Sequence, residues 1–226
     1  MKISTQFYRP ALALLCAVTF GTATARAQKG GEGKLVSPPS HATAQASPVP
    51  LPARAVEDKL APAGWTRYEV GEPARFSLIL PAAPQVSAKH MDNTPGAPVT
   101  VRVYLSSADS GVYGATYLEG LPTAASNDEM RRTFFKSFVT SFMEGLQESV
   151  KDRGVITSLK RLEQRAATAD GLAGYEQDFS YERLMGRVRL VFDGRRAYAV
   201  MAVWNGLSSN GERSTFFESL RITKTP

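Results

Sequence analysis

The sequence predicts an α+β domain, because short alternating strands, one long amphipathic helix near the middle and a short final helix follow one another. The chain has 226 residues, 43% hydrophobic and 21% charged, which is enough apolar material for one core. This composition excludes a mainly disordered chain and a polytopic membrane protein. The single cysteine excludes a disulfide scaffold and a multi-cysteine metal site.

Residues 1–27 have the pattern of a secretory signal peptide. Basic residues precede an apolar run over 11–20, and residues 25–27 (Ala-Arg-Ala) form a small-x-small cleavage pattern. The run is about half the ~20 residues of a spanning helix, so a permanent anchor is the weaker interpretation. We predict an exported protein, periplasmic or extracellular, that is cut before Gln28 and has no transmembrane segment in the mature chain.

Cleavage would change the charge and the cysteine chemistry of the protein. Residues 1–27 carry three basic and no acidic residues, so the net charge falls from +6 to +3. Cys16 is removed as well. It follows Leu15, where a lipoprotein signal needs a small residue, so lipidation of Cys16 is the less favoured alternative.

Residues 28–62 are predicted to be a disordered linker rich in Pro, Gly and Ser. They contain no aromatic residue and cannot bury enough apolar surface to offset the entropy of ordering. The linker could be a spacer or a simple extension of the chain. The folded domain is therefore predicted over 63–226.

The first half of this domain has the alternation and the turn residues of a sheet. The predicted strands are 65–70, 75–80, 86–91, 99–106 and 112–118.

Two capping boxes predict the starts of two helices: Ser126 with Glu129, and Ser209 with Glu212. The first helix has a wide apolar stripe formed by Met130, Phe134, Phe135, Phe138, Val139, Phe142, Met143, Leu146 and Val150. We assign this stripe to core packing against a sheet rather than to a ligand pocket. The basic residues Arg131, Arg132 and Lys136 are interpreted as its solvent-facing side. The short second helix has Phe216, Phe217 and Leu220 on its inner side.

A hairpin is predicted at Asp193-Gly194, with Val188 opposite Ala199. One of its faces is apolar. The other carries five residues, here called the Arg/aromatic face: Arg187, Arg189, Arg196, Tyr198 and Trp204. Such residues suit an anionic glycan, a lipid head group or an acidic protein patch. The favoured alternative is that the arginine stems cover the back of the sheet or pack against the final helix.

A second hairpin is predicted at residues 170–171. It aligns three pairs of residues: Arg165 with Glu176, Glu163 with Asp178, and Leu162 with Phe179. Facing carboxylates could serve a hydrolase such as a glycosidase. The neighbouring Arg165 favours a solvent-facing lattice of charges instead.

The sequence predicts no cofactor, metal site or catalytic residue. His41 lies in the predicted linker and His90 ends a predicted strand, with no third histidine or cysteine to complete a metal site. The chain also lacks the G-x-S-x-G, P-loop and G-x-G-x-x-G patterns.

The order of several segments resembles the PsbP-like family of bacterial exported proteins. The resemblance covers about 64–222 and rests on Gly-Glu-Pro-Ala-Arg-Phe-Ser-Leu-Ile-Leu-Pro-Ala-Ala-Pro at 71–84, the aromatic mid-chain helix, Gly-Tyr-Glu at 174–176, Asp-Gly-Arg-Arg-Ala-Tyr at 193–198 and Phe-Phe-Glu-Ser-Leu-Arg-Ile at 216–222. It implies an α/β/α sandwich around a central, mainly antiparallel sheet. Members named for the photosystem II extrinsic subunit act by docking on a larger complex, so the resemblance implies a binding or accessory role. No metal or docking residue of the family matches a position of this chain.

Together these observations predict an exported, non-catalytic accessory or binding domain. Its partner would be a protein or an envelope component rather than a nucleic acid. Two alternatives remain open, a hydrolase that uses Glu163 and Asp178, and attachment to an envelope surface through the Arg/aromatic face.

Overall fold

The structure is a computed structural model that describes residues 48–91, 99–121, 127–151, 159–181 and 184–223. Within these ranges the chain forms eleven strands and two helices. In chain order they are β1 (Ala53–Val56), β2 (Thr66–Val70), β3 (Phe76–Leu80), β4 (Gln85–Met91), β5 (Val99–Ala108), β6 (Gly111–Glu119), α1 (Asp128–Lys151), β7 (Leu159–Ala169), β8 (Leu172–Tyr181), β9 (Leu184–Asp193), β10 (Arg196–Trp204), α2 (Asn210–Glu218) and β11 (Arg221–Ile222).

The strands form two antiparallel sheets. The larger sheet has seven strands in the order β4-β5-β6-β10-β9-β8-β7, and the smaller has four in the order β1-β2-β3-β11. Helix α1 packs on one face of the larger sheet, while the smaller sheet and α2 pack on the other. The predicted α+β class, with a mainly antiparallel central sheet between outer layers, is confirmed. The smaller sheet adds to the second outer layer, where the sequence predicted only a short helix.

The core under α1 follows from the period-2 alternation of the strands and the apolar stripe of the helix. Phe135 and Phe142 of α1 are fully buried. Phe135 lies against the Tyr175 ring at a centroid distance of 5.6 Å, and Phe142 meets Phe179 at the same distance. The aromatic stripe therefore packs against the sheet, as predicted.

The core on the opposite face is rich in tyrosine. It contains Tyr68, Tyr104, Tyr113, Tyr117 and Tyr198, together with Phe76 of β3 and Phe216 and Phe217 of α2. The rings meet mostly edge to face, as between Phe76 and Tyr104 at 5.3 Å. This packing fixes the smaller sheet and α2 against the larger sheet.

The helix starts agree with the sequence in part. At α2 the predicted capping box is confirmed, because the Ser209 side chain accepts from the Glu212 amide and the Glu212 carboxylate accepts from the Ser209 amide. At α1 the predicted cap, Ser126, lies outside the described residues. The side chain of Asn127 accepts a hydrogen bond from the Met130 amide at 2.8 Å and caps the first turn.

Both hairpins form; the β9–β10 hairpin differs from the prediction in register, whereas the β7–β8 hairpin keeps the predicted pairing of Arg165 with Glu176 and departs from it only beyond a bulge. The turn between β9 and β10 is Gly194-Arg195 rather than Asp193-Gly194, so Val188 lies opposite Met201 instead of Ala199. A shift of two residues leaves every side chain on its predicted face. In the β7–β8 hairpin a bulge between residues 161 and 164 places Arg161, rather than Leu162, opposite Phe179.

The predicted linker is too long at its C-terminal end. Ala53–Val56, inside the predicted range 28–62, forms β1 and pairs with β2. Nearby, Asp58 accepts a hydrogen bond from the Arg67 guanidinium at 2.6 Å. Strand pairing supplies the backbone partners that the segment lacks by itself, so composition alone underestimated the folded part.

Candidate functional site

The Arg/aromatic face does not form one open surface, because α2 and the smaller sheet cover much of it. Tyr198 is 2% exposed, and its hydroxyl donates to the Ala74 carbonyl at 3.1 Å. Trp204 packs against the smaller-sheet side of the core and has the Arg213 guanidinium 5.2 Å from its ring. Attachment to an envelope through all five residues is therefore incompatible with the fold. For Arg187, Arg189, Tyr198 and Trp204 the structure favours the alternative, packing against the back of the sheet and the final helix. Arg196, at the start of β10, is half-buried and lies beside Tyr198.

Arg189 is the most buried arginine of this face, at 7% exposure. Its Nε donates to Glu176 Oε2 at 2.8 Å, and Nη1 donates to the Phe217 carbonyl at 3.1 Å and to Glu218 Oε1 at 2.9 Å. Since Glu176 belongs to β8 and the other two acceptors belong to α2, Arg189 ties the final helix to the sheet. The Arg189 guanidinium therefore binds acceptors of the same domain and is not available to an external ligand.

Arg187 is more exposed and binds Asp178. Its Nε lies 2.5 Å from Asp178 Oδ1, and its guanidinium lies 5.4 Å from the Phe217 ring. Burial would raise the pKa of Asp178, but hydrogen bonds and charges from Arg187 and Arg165 outweigh it and lower the pKa below its ordinary value. Asp178 therefore stays ionised.

The paired carboxylates share one arginine. Arg165 Nη1 lies 3.2 Å from Glu163 Oε2 and 3.1 Å from Asp178 Oδ2, while its Nη2 lies 2.5 Å from Glu176 Oε1. The guanidinium thus occupies the place between Glu163 and Asp178 where a substrate bond would have to lie. Arg187 and Arg165 lower the pKa of Asp178 despite its burial, so Asp178 would not serve as the raised-pKa acid that a glycosidase needs. The geometry favours the predicted lattice of charges, but the lattice is not solvent-facing as predicted, because Glu176 is 5% exposed and lies under the final helix with Arg189.

His90 lies in β4 and contacts the neighbouring strand. Its Nδ1 lies 3.1 Å from Thr100 Oγ1 on the neighbouring strand. Within the described ranges, no three His, Cys, Asp or Glu side chains are grouped as a metal ion would require. His41 lies outside the described residues.

A groove separates the first turn of α1 from the end of the β7–β8 hairpin. We call it the α1–β7 groove. Its volume is about 400 Å³, within the size range of small-ligand sites. Its lining consists of Asp128, Arg131, Arg132, Ala166, Ala167, Thr168, Ala173, Gly174 and Tyr175. Small residues of the hairpin leave the space, because α1 packs on β8 and β9 and does not fill the outer corner of the sheet.

Polar and charged groups of α1 line one wall of the groove. The Tyr175 hydroxyl donates to Asp128 Oδ1 at 2.5 Å, and the Arg132 guanidinium lies 5.7 Å from the Tyr175 ring. The tyrosine thus fixes the first turn of α1 over the hairpin. Arg132 is exposed, as predicted, and Arg131 is half-buried. The sequence analysis did not identify the groove beside them, and the signal for it was the run of small residues Ala166, Ala167 and Thr168 in β7.

Comparison with known proteins finds likeness at the level of structure only. No family model and no curated protein matches the chain. The solution structure of cyanobacterial PsbP (CyanoP) from Synechocystis sp. PCC 6803 matches 74% of this chain and 98% of its own, with 11% identity and a TM-score of 0.43. That protein bears the name of the family that the sequence resembles.

A crystal structure from Bacteroides thetaiotaomicron VPI-5482 matches 66% of this chain, with 10% identity and a TM-score of 0.28. The match spans 45% of that structure. Separately, neither helix of the described part of the chain is long and apolar enough to cross a membrane.

Proposed function

We propose that the protein is an exported, non-catalytic accessory domain that binds a protein or an envelope component in the α1–β7 groove. The observation that carries this proposal is the groove itself, a concave site of about 400 Å³ with two arginines on one wall and small residues on its floor. Arg165 of β7 and Arg187 and Arg189 of β9 bind carboxylates of the same domain, so these three arginines do not form a second ligand site. Residues 1–27 supply the export signal.

Site-specific crosslinking in the native host tests the binding site. A photoreactive amino acid at Thr168, on the groove floor, should give one defined adduct in the envelope fraction. The same amino acid at Glu57, exposed beside β1 in the opposite layer, should not give that adduct. Replacing both Arg131 and Arg132 with alanine should remove the Thr168 adduct while the protein stays folded. Equal adducts from the two positions, or none from Thr168, would contradict the proposed site.

Export is tested separately by the N-terminus of the protein recovered from cells. We expect the first residue to be Gln28 and the protein to be in the periplasm or the medium. An intact Met1 on protein that remains in the cytoplasm would contradict export without affecting the binding site.

A further inference from the structure

We propose that the outer edge of β7 binds an extended acidic segment of a partner polypeptide, which adds to the seven-stranded sheet as a further strand. This inference rests on the proposed function and names the class of ligand for the α1–β7 groove. β7 is a terminal strand of the larger sheet, and within the described ranges only β8 pairs with it. An edge of this kind presents backbone groups that a second chain can pair with.

The turn at the tip of the hairpin determines which backbone groups point outward. Asp170 and Gly171 both have positive φ, 51° and 77°, as a two-residue type I′ turn requires. Ala169 and Leu172 are therefore the closing hydrogen-bonded pair, and alternate residues back along β7 turn their N–H and C=O groups away from β8. These outward residues are Thr168, Ala166 and Gln164.

The two halves of β7 differ in how they resist such pairing. The first half has Lys160 and Arg161 and a bulge between residues 161 and 164, devices that commonly discourage edge-to-edge association. From Gln164 to Ala169 the register is regular, and the last four residues are small and uncharged. Six residues span about 20 Å, enough for a short added strand. The open edge is thus confined to the part of β7 that borders the groove.

Positive charge lies beside this edge. Arg132 lines the groove, and Lys136 follows one turn later on α1 and is exposed. Arg161 of β7 reaches the same side of the sheet, where its Nη2 donates to Thr140 Oγ1 of α1 at 2.7 Å. We call these three residues the basic row. The one carboxylate among the groove residues, Asp128, accepts from Tyr175 and lies 3.5 Å from Arg132.

Charge complementarity selects an acidic segment as the occupant. In an added strand every second side chain would face the α1 side of the sheet, where the basic row lies. Acidic residues at those alternate positions would pair with the basic row, while the backbone pairs with Gln164, Ala166 and Thr168. The backbone contacts would supply affinity and the charges would select the sequence and the register.

Binding of a nine-residue fluorescent peptide with alternating glutamate and valine tests the inference by anisotropy. Ala166→Pro removes one outward N–H and leaves the pairing with β8 intact, so we expect the peptide to bind about tenfold more weakly. Reversing two charges with Arg132→Glu and Lys136→Glu should weaken binding by at least tenfold and reduce its salt dependence. Arg54→Glu with Arg221→Glu, on exposed residues of the smaller sheet, is the charge-matched control and should have no effect.

Peptide controls separate the two contributions. A lysine-for-glutamate peptide and a peptide N-methylated at alternate residues should both fail to bind. Binding that survives Ala166→Pro and N-methylation but needs Arg132 and Lys136 would overturn strand addition and leave the groove as a simple acidic-ligand site. Absence of peptide binding while the Thr168 adduct persists would overturn this inference alone. Thermal unfolding of each variant checks that the fold is retained.

Discussion

Glu176 is the carboxylate on which the buried charge network depends, and its neutralisation should destabilise the domain strongly. It is 5% exposed and binds Arg189 at 2.8 Å and Arg165 at 2.5 Å. In Glu176→Gln the shape is kept and the charge is lost. Arg165 can turn towards Asp178, which it already contacts, but Arg189 is buried and keeps only α2 acceptors.

The expected cost follows from leaving Arg189 poorly compensated. Removing one partner of a buried ion pair commonly costs about 3–5 kcal/mol, and we expect the lower end, about 3 kcal/mol, because Arg189 retains Glu218. For a domain of this size the loss corresponds to a melting temperature lower by roughly 6–12 °C.

Urea and thermal unfolding of matched variants provide the assay. Glu163→Gln removes a carboxylate that contacts the same Arg165 but is 69% exposed, and it should change stability by less than about 0.5 kcal/mol. Combining Glu176→Gln with Arg189→Met should reveal a coupling of about 0.5–3 kcal/mol between the two sites. If Glu176→Gln is as mild as Glu163→Gln, or the two sites act independently, the reasoning about this network is wrong.

Two further predictions concern buried polar groups. Within the described residues the Tyr104 hydroxyl is buried without a hydrogen-bond partner, and burial raises its pKa to about 12. Tyr104→Phe should therefore be neutral or stabilising in urea unfolding, whereas Tyr198→Phe, which loses a hydrogen bond to a carbonyl, should cost about 1 kcal/mol; the reverse order would contradict the assignment. Arg187 and Arg165 lower the pKa of Asp178 despite its burial, so its stabilising contribution is complete above the unfolded-state pKa of about 4 and is lost as the pH falls through the lower folded pKa. Unfolding measured from pH 6 to pH 2 should show a smaller loss of stability for Asp178→Asn than for the wild type, and parallel curves would refute this.

The fold class was predictable because its signals are local. Strand alternation, the apolar stripe of α1 and the capping box at Ser209 each involve residues close together in the chain. The predicted faces of the β9–β10 hairpin were correct although the predicted turn was wrong, because a register shift of two residues preserves the alternation of side chains. The bulge in β7 adds a residue to one strand and so changes the pairing beyond it, which moves Leu162 away from Phe179.

The smaller sheet was only partly predictable. β2 and β3 have strong alternation, but β1 comes from a segment with linker composition and β11 has two residues. Both strands depend on pairing with a neighbour that the local sequence does not specify. That sheet covers part of the Arg/aromatic face, so the same missing information led to the open-surface hypothesis for Arg187, Arg189, Arg196, Tyr198 and Trp204.

The candidate site was not predictable from the sequence, although each component was visible in it. Arg132 reads as a solvent-facing helix residue, and Ala166 and Thr168 read as ordinary strand positions. The groove exists because α1 crosses β8 and β9 and leaves the corner beyond Tyr175 uncovered. Packing over long sequence separations decides such a placement.

By itself, the sequence determined the class of fold, the helix and strand faces, the predicted export segment and the preference for a charge lattice around Glu163 and Asp178. These follow from periodicity, caps and composition, which act over a few residues. Only the tertiary structure decided which charged side chains bind acceptors within the domain and which lie beside a groove. Arg189 lies under α2 and Arg132 lies at an open sheet edge, and that difference is set by how the layers pack, through contacts between residues far apart in the chain.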